Sequence, residues 1–165
     1  MSKRDYNSPS FLPKGCGCLV LLILLTPVIG VLVLSFFVCG STNKAKQSEG
    51  KQYISSMNKG QLAYYAENSA FSNSVNALGL GLKTETTNYK YSLRATKQAA
   101  FNYGVSKHKT EKSYVGGVFL VDAGEAKTTY SILCEADSPG TIKPPEPIDQ
   151  NGEVICGKGT TLVAK

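Results

Sequence analysis

From Gly15 to Asn43 the chain carries no charged residue, and the polar sequence Lys44 to Tyr53 follows directly behind that stretch. Within it, Leu19 to Cys39 as a helix spans about 32 Å, the thickness of a bilayer's hydrocarbon core. Pro27 and Gly30 would break a water-exposed helix. In a membrane segment Thr26 and neighbouring groups can satisfy the freed carbonyl, so the expectation is at most a kink. The junction therefore reads as a membrane-embedded helix running into an amphipathic one. Val38-Cys39-Gly40 also resembles the cleavage site of a secretory signal, but the apolar run exceeds the roughly 7–15 residue core of such signals. Lipid attachment at Cys39 is disfavoured because Val38 stands where a small residue is required.

A chain of 165 residues that commits its first forty or so to a membrane segment retains roughly 120, enough for one domain with a modest core. The net charge is +6; Lys3, Arg4, Lys14 and Asp5 contribute +2, which leaves +4 beyond the apolar run. No dense Lys/Arg cluster with interleaved aromatics marks a nucleic-acid site, although moderate basicity suits anionic lipid or polysaccharide. Of the five cysteines, Cys16, Cys18 and Cys39 lie in or beside the apolar run, where acylation of Cys16 and Cys18 is one reading. Cys134 and Cys156 bracket a Pro/Gly-rich segment. A bridge between them would contribute about 3 kcal/mol in the chain-entropy account; the alternative is two unrelated buried thiols. Lys3, Arg4 and Lys14 on one side are balanced by Lys44, Lys46 and Lys51 on the other, so charge leaves orientation open. The expected bridge decides it, placing the N-terminus in the cytoplasm and the bulk of the chain outside.

Past Asn43, the residues Ala45, Ser48, Ile54, Met57, Leu62, Ala63 and Tyr65 recur at three- and four-residue intervals, which predicts an amphipathic helix over 44–68. Gly50 and Gly60 weaken it by up to about 1 kcal/mol each, so packing on a sheet must hold it. A short helix is expected at Asn73 to Leu78, with Ser72 as N-cap and Gly79 as its stop. Short strands are expected at Tyr89 to Leu93, Ala99 to Val105, Tyr114 to Val121 and Thr128 to Cys134. In the first, Tyr89, Tyr91 and Leu93 alternate with Lys90, Ser92 and Arg94, the pattern of a half-buried strand. Short connections favour antiparallel pairing, giving an α+β unit with the helix across one sheet face. The proline-rich run after Cys134 is expected to be a loop held back by Cys156.

The stretch Asn43 to Asn68 closely resembles the helix of bacterial type IV pilin-like proteins of the G/H type. Leu78 to Leu82, Asn88 to Ser92, Ser113 to Val118 and Ile132 to Asp137 resemble loop and strand segments of the same family. The resemblance covers nearly all of Asn43 to about Cys156. It implies a pilin-like α+β fold: a long N-terminal helix, half transmembrane and half amphipathic, packed on an antiparallel sheet, with a C-terminal disulfide-bounded loop. It also implies the organisation 1–14 as a cytoplasmic basic leader, 15–43 as a transmembrane segment and 44–165 as an extracytoplasmic domain. Lys14-Gly15 matches the end of a prepilin leader, which makes Gly15 and Cys16 the candidate prepilin-peptidase cleavage junction. Val20 stands where family members carry the glutamate that pairs with a neighbouring subunit's freed amino terminus.

Catalytic chemistry has little to stand on. His108 lies between Lys107 and Lys109 without ligand or nucleophile companions, and reads as a solvated loop residue. Gly79, Gly81, Gly116 and Gly117 lack the context of a phosphate loop. Glu67, Glu85, Asp122, Glu125, Glu135 and Asp137 offer no acid/base pair assignable to one cleft, and Cys16 with Cys18 is an incomplete metal set. Tyr64 and Tyr65 are read as packing helix on sheet, and a tyrosine-rich surface as a candidate for subunit contacts. The expectation is a non-enzymatic minor pilin or pseudopilin: a single-pass inner-membrane protein without cofactors. Its partners would be the membrane and other pilin subunits, with no nucleic-acid site and no small-molecule substrate. The alternative is a non-polymerising anchored protein with a pilin-shaped binding ectodomain.

Overall fold

A computed structural model describes the backbone of residues 17–124 and 126–165, with side chains from residue 43 onward, Glu125 excepted. A boundary after Gly40 separates two units, and the sheet belongs to the second, Ser41–Lys165. Among the described residues no helix is long and apolar enough to cross a membrane. The expected leader 1–14 and the Gly15/Cys16 junction lie outside the described residues, as do the side chains of the expected membrane segment up to residue 42.

Helix α1 (Gly17–Asn68) is followed by a 3-10 turn at Asn76–Leu78 and then by strands β1 (Tyr89–Ala95), β2 (Ala99–Ser106), β3 (Tyr114–Ala123) and β4 (Ala126–Ala136). Three short strands complete the chain: β5 (Ile148–Gln150), β6 (Glu153–Ile155) and β7 (Thr160–Ala164). The main sheet runs β1-β2-β3-β4-β7, antiparallel throughout, and β5 and β6 form a separate hairpin. Strands β1 to β4 follow one another through short connections, which favour antiparallel pairing of neighbours. The β1 alternation holds as read: Tyr89 and Tyr91 are buried, whereas Lys90, Ser92 and Arg94 are exposed.

The sheet is covered on both faces, so β2 is buried at seven of its eight positions rather than at every second one. On one face α1 places Ile54 and Met57 against Tyr89, Tyr91, Tyr114 and Leu133. On the other, Phe101, Tyr103, Val115, Ile132 and Cys134 pack with Val154 from the hairpin. That second cover is the segment between β4 and β7. Its proline-rich run up to Pro147 is the expected loop, and beyond it the Asn151-Gly152 turn folds the β5–β6 hairpin, both residues taking positive φ of 57° and 87°. Cys134 and Cys156 are bonded, with Cα atoms 5.8 Å apart, and β7 continues beyond the bridge to pair with β4.

Two local expectations are corrected. The helix expected at Asn73 to Leu78 is only the turn Asn76–Leu78, capped by Gly79 at φ 68°. Ser72 does not cap it, because its hydroxyl accepts from Ser74 N–H at 3.1 Å and its own N–H is taken by Gln61 Oε1 at 2.9 Å. The buried stripe of α1 also differs from the expected one. Ala45, Ser48 and Ala63 are exposed, and Leu62 and Tyr65 are half-buried near Phe71. The buried line runs instead through Gly50, Ile54, Met57, Asn58 and Gln61.

Candidate functional site

Glycines set how closely the helix approaches the sheet. A methyl at Gly50 would lie 2.8 Å from Tyr114 Cδ2 and 2.8 Å from Tyr89 Cζ, so the residue read as a helix weakness is a packing requirement. Opposite it in β3, a methyl at Gly116 would overlap the Asn58 side chain and come 2.7 Å from Ile54 Cγ2. Gly116 therefore gives Asn58 room to reach into the sheet. Asn58 Nδ2 donates to Ile132 O at 2.9 Å, and Asn58 Oδ1 accepts from Asn102 Nδ2 at 2.9 Å. One turn on, Gln61 Nε2 donates to Ser72 O at 2.8 Å, which ties the connection after α1 back onto the helix.

Nearer residue 43, the same helix carries an ionic and hydroxyl network. Glu49 accepts from Thr86 Oγ1 and Asn88 Nδ2, both at 2.6 Å, and from Tyr91 O–H at 3.2 Å. Lys46 Nζ lies 3.0 Å from Glu111 Oε1, whose side chain is fully buried. Glu135 of β4 receives Lys51 at 3.1 Å, Lys112 at 2.9 Å and Tyr114 O–H at 2.9 Å. Tyr53 of α1 stacks on Tyr91 with ring centroids 4.4 Å apart. Burial, followed by neighbouring carboxylates, raises the pKa of Tyr89, Tyr91, Tyr103 and Tyr114 above the ordinary 10, so these hydroxyls stay protonated. They are structural donors under the helix and strap, and the idea of a tyrosine-rich contact surface is corrected for these four buried residues.

Lys46→Met should lower stability by about 2–3 kcal/mol, because it leaves the Glu111 carboxylate buried with only Ser106 Oγ at 3.5 Å as a side-chain partner. Adding Glu111→Gln should recover part of that loss in a double-mutant cycle of thermal unfolding. Burial pushes the Glu135 carboxyl up, but the hydrogen bonds from Lys112, Lys51 and Tyr114 outweigh it and hold the folded value below the ordinary 4.5. Its contribution is therefore complete above pH 4.5 and lost as pH falls through the lower folded value. In acid unfolding titrations Glu135→Gln should flatten the loss of stability between pH 4.5 and that lower folded value, and an unchanged slope there would show that Glu135 does not contribute.

Among the residues singled out from sequence, the structure brings together Cys134 and Cys156, and it places Glu135 in the helix-to-sheet network. It does not gather Glu67, Glu85, Asp122 and Asp137 around that network. Glu85 pairs with Lys107, and Asp137 accepts from Thr161 Oγ1 at 2.6 Å. His108 is half-buried with Nε2 enclosed, not a solvated side chain, and its carbonyl accepts from Ser106 Oγ at 2.9 Å. Among the described residues no group of three or more His, Cys, Asp or Glu is placed to hold a metal.

Sequence reasoning missed Glu49, Glu111, Asn58, Gln61 and Glu146. For Asn58 and Gln61 a signal existed: they stand four and seven residues after Ile54, on its helix face. The site as built is a seam of helix on sheet whose carboxylates Glu49, Glu111 and Glu135 are occupied by lysines, hydroxyls and an amide. A family model described as Type IV pilin-like G and H matches residues 47–157, about two thirds of the chain. No curated protein and no solved structure matches it.

Proposed function

The chain belongs to the type IV pilin-like G and H family, and from that membership we propose a membrane-anchored minor pilin or pseudopilin that acts in pilus or secretion-fibre assembly or in surface adhesion. The observation that carries this reading is the family match, which spans the helix-on-sheet seam from residue 47 and the whole of the disulfide-bounded segment. In this reading residues 15–43 cross the inner membrane, residues 1–14 remain in the cytoplasm, and residues 44–165 lie outside it. The apolar run supports the span, and the Cys134–Cys156 bond supports an oxidising compartment. The partners are other pilin subunits and the membrane.

A second reading, an anchored protein that does not polymerise, is favoured by one residue. Counted from a leader ending at Gly15, Val20 stands where the resemblance to type IV prepilins places the glutamate that docks a subunit onto its neighbour. Shearing intact cells and probing the released fibres with antibody against residues 137–157 separates the two. The first reading expects the chain among the fibres. Its confinement to membranes, in cells that do shed fibres, would select the second.

A further inference from the structure

The segment after β4 forms a strap over the sheet face opposite α1, and its attachment is not confined to the disulfide. At its start, Gly140 N–H donates to Glu111 O at 3.0 Å and Gly140 O accepts from Ser113 Oγ at 3.1 Å. Pro144 and Pro147 are buried, and Pro147 sits where a methyl at Gly117 would come within 3.2 Å of its Cγ. Between these prolines Glu146 takes both arms of the Arg94 guanidinium, Nε at 3.2 Å and Nη2 at 2.5 Å, and also accepts the Tyr103 hydroxyl. Lys143 covers the Tyr103 ring at 3.5 Å. The node thus joins β1, β2 and the strap.

We propose that the Arg94–Glu146–Tyr103 node is a second closure, able to keep the strap seated on the sheet when the Cys134–Cys156 bond is open, so that the apolar face beneath is uncovered only when both are undone. The first closure opens by reduction. A dithiol supplies two electrons and two protons, the Sγ–Sγ bond becomes two thiols, and the dithiol leaves as its own disulfide. The second closure is a fork of charge-assisted hydrogen bonds with a fixed planar geometry, which resists a hinge-like lift better than a single contact would. Phe101, Tyr103, Val115 and Ile132 are the apolar surface it keeps covered.

Cys134 supplies the readout, because its side chain is fully buried whereas Cys156 is half-buried. The full chain, purified in detergent micelles, is reduced with dithiothreitol and pulsed with iodoacetamide, and each cysteine is followed by peptide mass. In the reduced wild type, Cys134 should alkylate far more slowly than in the urea-unfolded chain. In Glu146→Gln its rate should rise about tenfold or more, and Tyr103→Phe should give a smaller rise. Amide exchange of β2 and β3 in the unreduced variants certifies that they are folded; if Glu146→Gln fails that check, Arg94→Met takes its place. Cys134 alkylating in the reduced wild type as fast as in urea would overturn the proposal. So would a rate in the folded node variant equal to that of the wild type.

Discussion

Gly116→Val should lower the stability of the folded domain by about 4 kcal/mol and its melting temperature by roughly 15 °C. Two terms add. Branched carbons at residue 116 collide with Ile54 and Asn58 on α1, and overpacking of this kind costs about 1–3 kcal/mol. Displacing Asn58 also breaks its bonds to Ile132 O and Asn102, leaving buried polar groups unpaired at about 1–3 kcal/mol. Both Ile54 and Asn58 are buried on α1 and held against the sheet, so little relaxation is available. Thermal unfolding of the full chain in detergent, followed by circular dichroism, measures the effect. Trimming the obstacle with Asn58→Ala in the same chain should restore part of the loss, which simple additivity would not do. A Gly116→Val protein melting within about 2 °C of the wild type would mean the helix does not seat as closely as described.

The second large effect concerns the disulfide. Cys134→Ser together with Cys156→Ser should cost about 3 kcal/mol, roughly 10 °C in melting temperature, because 22 residues of chain lose their closure in the unfolded state. Buried Cys134 adds to that cost, since a serine hydroxyl placed there has no prepared partner. The double-serine chain should nevertheless still fold, with Pro147 and Val154 keeping their places under the Arg94–Glu146 fork. Losing cooperative unfolding altogether would show the bridge to be indispensable rather than contributory.

What could be read from sequence follows from how each element announces itself. The four long strands were legible because Tyr89, Tyr91 and Leu93 alternate with Lys90, Ser92 and Arg94, and because Gly116 and Gly117 interrupt an otherwise apolar run without breaking it. The helix was legible from its spacing, but half of its buried face was not. Asn58 and Gln61 look like solvent positions until partners 44 and 11 residues away are known. Gly50 looks like a defect until two tyrosine rings occupy the space a methyl would need. The same limit hides Glu111 and Glu146, whose roles depend on Lys46 at 65 residues' distance and Arg94 at 52. Strands β5 to β7 went unread because three- and five-residue strands behind a run of prolines carry little periodicity. The Asn151-Gly152 pair was nonetheless an available hairpin signal.

The helix is held to the sheet by buried amides and ion pairs, and the far face is strapped by the disulfide, the Arg94–Glu146 fork and the Gly140 hydrogen bonds. The most direct test of the structural-subunit account is the intact mass of the chain recovered separately from sheared surface fibres and from membranes. The account predicts a fibre-associated form that begins at Cys16 and has lost residues 1–15. A chain that retains residues 1–14 and is found only in membranes would contradict it.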